Sequence, residues 1–155
     1  MKILSLLVGA FGLLGHEANA TEAPFQIHCN SSTRAISGIL EIEVDPAREF
    51  LGFSLERFRS NSRLGTEYLS GSNQEGFGRS SKSTSSVVIT RNAVGDLKIV
   101  ALGRYYDRAS LIGGDEIKVL LKKEATDALG GYTLDSFVVN GKSYHLGGLP
   151  FCSVF

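Results

Sequence analysis

The chain has 155 residues, 16 of them basic and 16 acidic, and therefore no net charge at neutral pH. A neutral chain lacks the general electric field that attracts nucleic acid or anionic lipid, so no nucleic-acid partner is expected. After Ala20, no apolar run approaches the roughly 20 residues that a membrane-spanning helix requires, so no transmembrane helix is expected.

The first 20 residues have the three parts of a secretory signal peptide. Lys2 supplies the positive start, Ile3–Leu14 the apolar centre, and Ala18–Ala20 the small residues of a cleavage site. Cleavage would leave a mature chain from Thr21 with 15 basic and 15 acidic residues, still without net charge. We therefore expect an exported protein, periplasmic or extracellular, with one domain over residues 21–155.

The mature chain begins with two predicted strands. The first contains Cys29, with Phe25 and Ile27 on the same face. In the second, Ile36–Val44, apolar and charged side chains alternate, which is the pattern of a strand with one buried face. Three of its side chains are expected in the core and two in solvent, namely Leu40, Ile42 and Val44 against Glu41 and Glu43.

The segment 45–58 fits two structures. Asp45 and Pro46 are typical of the first residues of a helix, and the apolar residues after them have helical spacing. However, Gly52 destabilises a helix by about 1 kcal/mol, and a helix would leave Phe53 on its polar side. A hairpin whose turn begins at Asp45 also fits, and we favour that interpretation.

Residues 59–83 are rich in serine and glycine and include three arginines and a lysine. Only Thr66–Leu69 has the composition of a strand. Because loops longer than about 12–15 residues are uncommon and are usually functional or disordered, we predict a long polar Ser/Gly-rich loop with a binding role. We expect Phe77, within this loop, to contact a partner.

Five further strands are predicted from apolar residues between turn signals, namely Ser86–Thr90, Leu97–Tyr106, Glu116–Lys122, Tyr132–Val139 and Ser143–Leu146. Turns are expected at 91–96, 113–115 and 140–141. The last is an Asn-Gly pair, which suits the positive φ angles of a type I′ hairpin turn. A short helix is predicted over Glu124–Leu129, before two glycines.

Cys29 and Cys152 are the only two cysteines, and they lie in the first and last predicted strands. In an oxidising compartment they are expected to form a disulfide. Because that bond requires Cα atoms within about 7 Å, the terminal strands should be neighbours. We therefore predict an all-β fold, a small closed barrel or sandwich of about eight antiparallel strands.

The segment Arg104–Arg108 is the main candidate for partner binding. Adjacent residues of a strand point to opposite faces, so one of its two tyrosines should face outward. An exposed tyrosine flanked by arginine is a common interface anchor. Arg104, Tyr105, Tyr106 and Arg108 are therefore expected to contact a partner, while a packed strand end is the alternative explanation of the same pattern.

No catalytic, cofactor-binding or metal-binding residues are predicted, and no cofactor is expected. His28 and His145, the two histidines of the mature chain, are too few for a zinc site. A secreted hydrolase that uses one of these histidines remains an alternative, although the sequence lacks the Gly-x-Ser-x-Gly turn that presents a nucleophilic serine. A small outer-membrane β-barrel also stays open, because the chain ends in an aromatic residue, Phe155.

These features favour an exported, non-catalytic binding or inhibitor protein that acts through loops and one exposed strand face. Its partner would be a protein or a small ligand. The disulfide also uses the only two thiols, which removes the best nucleophile and the softest metal ligands, so the sequence leans away from an enzyme.

Overall fold

The computed structural model describes residues 22–34, 36–60, 65–75, 82–107, 110–125 and 131–155. These residues form an all-β fold, and no helix among them is long and apolar enough to cross a membrane. The strands are β1 Phe25–Ser32, β2 Ile36–Asp45, β3 Phe50–Arg59, β4 Thr66–Ser72, β5 Lys82–Arg91, β6 Leu97–Asp107, β7 Ser110–Lys123, β8 Tyr132–Val139, β9 Lys142–Ser143 and β10 Phe151–Val154.

All strands belong to one antiparallel sheet with the order β4-β3-β2-β1-β10-β8-β7-β6-β5, and the short β9 pairs with β8. The first and last strands are neighbours, as predicted. β4 and β5 are the two edges, and the described residues form no ladder between them. The predicted all-β antiparallel fold is confirmed, but the sheet of the described residues is not closed, so the predicted closed barrel is not confirmed.

Cys29 and Cys152 form the predicted disulfide. They are direct partners in the β1–β10 ladder, with Cα atoms 4.0 Å apart, and both are fully buried. Nearby, Gln26 and Phe155 exchange backbone hydrogen bonds of 2.7 and 3.0 Å. The disulfide therefore lies inside the core at a regular ladder position, and it is consistent with an oxidising, exported environment.

The core lies on the inner face of the sheet. In β2 the apolar residues from Leu40 to Val44 are at most 2% exposed, and the two glutamates between them are exposed, as predicted. Phe53 of β3 contacts Phe137 of β8 edge to face, with ring centroids 5.1 Å apart. The two halves of the sheet, β1–β4 and β5–β8, thus share one hydrophobic core.

A buried asparagine joins the two halves near their edges. Asn73 follows β4, and its side chain is fully buried. Its Oδ1 accepts the N–H of Leu51 at 2.9 Å, and its Nδ2 lies 2.9, 3.4 and 3.2 Å from the carbonyl oxygens of Glu49, Ser86 and Leu102. The Asn73 amide thus joins backbone groups of β5 and β6 to those at the start of β3.

The hairpin interpretation of residues 45–58 is confirmed. β2 ends at Asp45, a single 3₁₀ turn covers Pro46–Arg48, and β3 follows. The Asp45 carboxylate accepts the backbone N–H of Arg48 at 3.1 Å, and Glu49 completes the turn with a φ of 52°. The carboxylate and proline that are typical of a helix start therefore serve a tight turn instead.

The predicted turn at 113–115 is wrong, whereas the one at 140–141 is confirmed. Gly113 and Gly114 lie inside β7 and pair with β6. A Cβ on Gly114 would lie 2.5 Å from the carbonyl oxygen of Gly103, so close approach of two strands explains this glycine. Residues 140 and 141 have φ angles of 51° and 78°, as a type I′ turn requires.

Two predicted segments have different bounds in the structure. Inside the predicted 59–83 loop, β4 extends over Thr66–Ser72, and residues 61–64 and 76–81 lie outside the described residues. The strand predicted over Ser143–Leu146 ends at Ser143 because the chain then turns to bury Leu146 in the core. Most of the predicted helix, residues 126–129, also lies outside the described part of the chain.

Replacing both cysteines by alanine (C29A/C152A) should lower the free energy of unfolding of residues 21–155 by about 4 kcal/mol. The reason is that the unfolded chain regains conformations that a covalent link across 123 residues excludes. Urea unfolding followed by circular dichroism measures the change. A reducing agent should destabilise the native chain and leave the variant unaffected, and a difference below about 1 kcal/mol would contradict the prediction.

Asn73→Ala should lower the free energy of unfolding by about 2–4 kcal/mol, because it leaves a buried N–H and several carbonyl groups without their partner. Asn92→Ala is the matched control, since the exposed Asn92 also accepts backbone N–H groups, from Val94 and Asp96. Its effect should be about 1 kcal/mol or less. Equal unfolding midpoints for the two variants in urea would show that Asn73 does not hold the edges together.

Candidate functional site

The predicted binding segment Arg104–Arg108 divides between the two faces of the sheet. Arg104 is exposed on the outer face of β6, and Tyr106 has the same orientation. Tyr105 points inward, where its hydroxyl contacts the Asp115 carboxylate and the backbone carbonyl of Glu75. Burial, together with the neighbouring Asp115 carboxylate, raises the pKa of Tyr105 far above its ordinary value, so this hydroxyl stays protonated.

Partner contact by Arg104, Tyr105 and Tyr106 stays a prediction, with Tyr105 serving to join β6 to the turn after β4. Arg108 and Phe77, the other two predicted contact residues, lie outside the described residues. The segment therefore does not provide one continuous described surface. A second surface, which the sequence did not single out, is more extensive.

That surface is the outer face of β10, β1, β2, β3 and β4, which we call the acid-aromatic face. The ladders align its outward residues in rows, one of which runs from Asn30 through Ile39 and Glu56 to Tyr68. The described residues expose nine large hydrophobic side chains, and five lie here, namely Ile39 (43%), Phe58 (48%), Tyr68 (73%), Phe151 (44%) and Phe155 (68%). Exposed apolar groups are thus concentrated on one half of the sheet.

The charges of the acid-aromatic face all have one sign. Glu41, Glu43 and Glu56 are exposed there, and the outward positions of its described strands include no lysine or arginine. The outer faces of β6 and β7 are mostly basic, with exposed Lys98, Arg104, Lys118 and Lys122. The zero net charge of the chain therefore conceals an acidic and a basic side.

Hydrogen bonds hold two of the carboxylates in place. Ser54 donates to Glu41 at 3.3 Å, and Nδ1 of His28 lies 3.6 Å from the same carboxylate. The Tyr68 hydroxyl donates to Glu56 at 3.1 Å, and this hydrogen bond raises the pKa of Tyr68 above its ordinary value. Both carboxylates thus have fixed positions on the strand surface and stay accessible to a partner.

The contacts around Glu41 do not form the constellation of a serine hydrolase. In a catalytic triad the imidazole accepts the serine proton, whereas here Ser54 donates to the carboxylate that lies between it and His28. His145 is exposed on the segment after β9. Among the described residues, no three His, Cys, Asp or Glu side chains lie close enough together to hold a metal ion.

A groove of about 560 Å³ crosses the acid-aromatic face near the start of β3. Its lining includes Glu41, Glu43 and Glu75, and the rings of Phe50 and Phe155 flank it. Such a groove provides carboxylate acceptors between two aromatic rings. It is therefore suited to cationic groups that carry apolar carbon.

Sequence reasoning treated Glu41 and Glu43 as an ordinary solvent face. The outward positions of β2 and β3 were readable from the alternation, but their alignment with β4 and β10 depends on the register of the ladders. Comparisons with models of known protein families, with curated proteins and with solved structures found no match to this chain.

Proposed function

We propose that this chain is an exported, non-catalytic binding or inhibitor protein, and that its acid-aromatic face binds a protein partner with a basic and partly apolar surface. The observation that carries the proposal is the presence of five exposed large hydrophobic side chains together with three carboxylates and no described lysine or arginine on that face. Interfaces commonly have aromatic anchors within a polar rim.

The apolar side chains give a partner area to bury. Phe58 lies diagonally across the ladders from both Tyr68 and Ile39, so the three exposed side chains are near neighbours on one face. A patch of this kind, bordered by polar residues, is typical of interaction sites. Aromatic rings also lose little conformational freedom when they are covered, because they have only two rotatable side-chain bonds.

The carboxylates determine which partner is favoured. Glu41 and Glu56 lie on either side of Ile39 across β2 and β3, so a partner that covers this apolar side chain meets negative charge around it. Lysine or arginine in the partner satisfies these carboxylates, whereas an acidic surface is repelled. The attraction acts between partly exposed groups, so added salt weakens it.

The outer faces of β1–β4 and of β6–β7 point away from each other, because the inner faces of the two halves share one core. A single flat partner therefore does not cover both Glu41 and Arg104. The acid-aromatic face is the first surface to test, and the basic side that includes Arg104 and Tyr106 is a separate surface. The disulfide agrees with a periplasmic or extracellular place of action.

Two ten-residue peptides test the proposal, one alternating leucine with arginine and one alternating leucine with glutamate. The arginine peptide should bind residues 21–155, and E41Q/E56Q should weaken that binding about tenfold, because two exposed charge pairs are lost. Fluorescence anisotropy of labelled peptides measures both affinities. Raising the salt concentration should weaken binding to the native chain more than binding to the variant.

K98Q/K118Q is the matched control, since it removes two exposed charges from strands of the opposite face. It should leave the affinity for the arginine peptide unchanged within about twofold. Equal binding of the glutamate peptide, or an equal loss of affinity in the control variant, would overturn the proposal. Ile39→Ser should weaken binding without changing its salt dependence, because it removes apolar contact only.

A further inference from the structure

A second recess opens between the inner faces of the two halves, at the end of the sheet where Asn140 and Gly141 turn. We call this recess the end cleft; its volume is about 420 Å³. Its walls are mostly apolar, and its rim is polar. The walls include Phe53, Leu69, Ile117, Val139 and Tyr144. The rim includes Glu75, Asp115, Asn140 and Lys142.

Small and fixed groups keep the end cleft open. A Cβ on Gly71 would lie 3.2 Å from both the Phe53 ring and the Glu75 carboxylate, so glycine leaves room beside them. The Asn73 side chain and the Tyr105 hydroxyl hold the turn that carries Glu75 against β5, β6 and β7. The cleft is therefore bounded by hydrogen-bonded backbone and does not require a movement to form.

The rim has one carboxylate that is available for a ligand. Both oxygens of Asp115 are occupied, one by the Asn140 side chain at 2.9 Å and the other by the Tyr105 hydroxyl. No described residue donates a hydrogen bond to the Glu75 carboxylate, and Glu75 is exposed. The Lys142 ammonium lies over the Tyr144 ring, 5.0 Å from its centroid. Glu75 is thus the acceptor that faces a molecule entering the cleft.

We infer that the end cleft binds a small amphipathic molecule with an apolar body and a protonated amine as its head group. The apolar walls take the body, since ligand sites of about 300–1,000 Å³ are mostly apolar with a few polar groups. The Glu75 carboxylate takes the ammonium as a charge-assisted hydrogen bond. Two carboxylates on the rim disfavour an anionic head group, and Phe53 adds an aromatic ring to the wall beside Glu75.

The end cleft adjoins the groove of the acid-aromatic face: Phe53, Gly71 and Glu75 line both, whereas Leu69, Ile117 and Tyr144 line the cleft alone. These three belong to the inner side of the sheet, whereas Glu56 projects from the outer side. A small ligand in the cleft and a protein on the outer face therefore do not compete for these residues. Leu69→Trp changes the cleft and E41Q/E56Q changes the acid-aromatic face, so the two proposals fail separately.

Three molecules with the same chain, octylamine, octanol and octanoate, test the head group. Isothermal titration calorimetry with residues 21–155 at neutral pH should give the order octylamine, octanol, octanoate from tightest to weakest. Octylamine should bind about tenfold more tightly than octanol, the gain of one charge-assisted hydrogen bond. Equal affinities of octylamine and octanol, or tighter binding of octanoate, would overturn the inference.

Glu75→Gln should reduce the affinity for octylamine about tenfold and leave the affinity for octanol unchanged. Glu56→Gln, on the outer face, is the matched control and should change neither affinity. Leu69→Trp should fill the cleft and abolish binding of both, with Leu149→Trp as its exposed control. Val139→Phe tests the opposite wall if Leu69→Trp melts early by circular dichroism, and unchanged binding in a folded wall variant would place the ligand elsewhere.

Discussion

The Cys29–Cys152 bond is the constraint on which the rest of the fold depends. It joins the first and last strands inside the core and fixes β1 beside β10 at a single register. Three antiparallel strands, β2, β3 and β4, extend from this pair on one side, and β8, β7, β6 and β5 extend on the other. Within each half, every further strand pairs with the strand before it in the sheet. The register of the disulfide-linked β1–β10 pair therefore sets the position of each strand relative to the strand opposite it across the core.

Asn73 joins the two halves of the sheet near their edges, as the disulfide joins them at the centre of the sheet. The edges approach each other without forming a described ladder, and the amide satisfies backbone groups from both halves at one point. Asn73 joins the two edges locally, and no ladder of described residues joins them at the end of the sheet beyond it. The end cleft lies beside this point, with Glu75 two residues beyond Asn73.

Local patterns in the sequence predicted the parts of the fold that short-range chemistry determines. The alternation from Leu40 to Val44, the Asn-Gly turn and the paired cysteines all have their expected structures. The glycines at 113–114 were misread, because a close approach of strands and a turn demand the same residue. The role of Asn73 was not predictable, since its partners lie 13–29 positions away in the chain. The acid-aromatic face and the end cleft were not predicted for the same reason, because the register between strands brings their residues together.

Opposite faces of a strand explain why one short segment contributes to two surfaces. In β4, Tyr68 projects outward beside Glu56, while Leu69 projects inward to the end cleft. In β3, Phe58 is outward and Phe53 inward. Substitutions one residue apart therefore separate the two proposals: a change at Tyr68 alters the outer patch alone, and a change at Leu69 alters the cleft alone. Because successive side chains of a strand point to opposite faces, one sheet provides both a protein-binding outer face and an inner site for a small ligand.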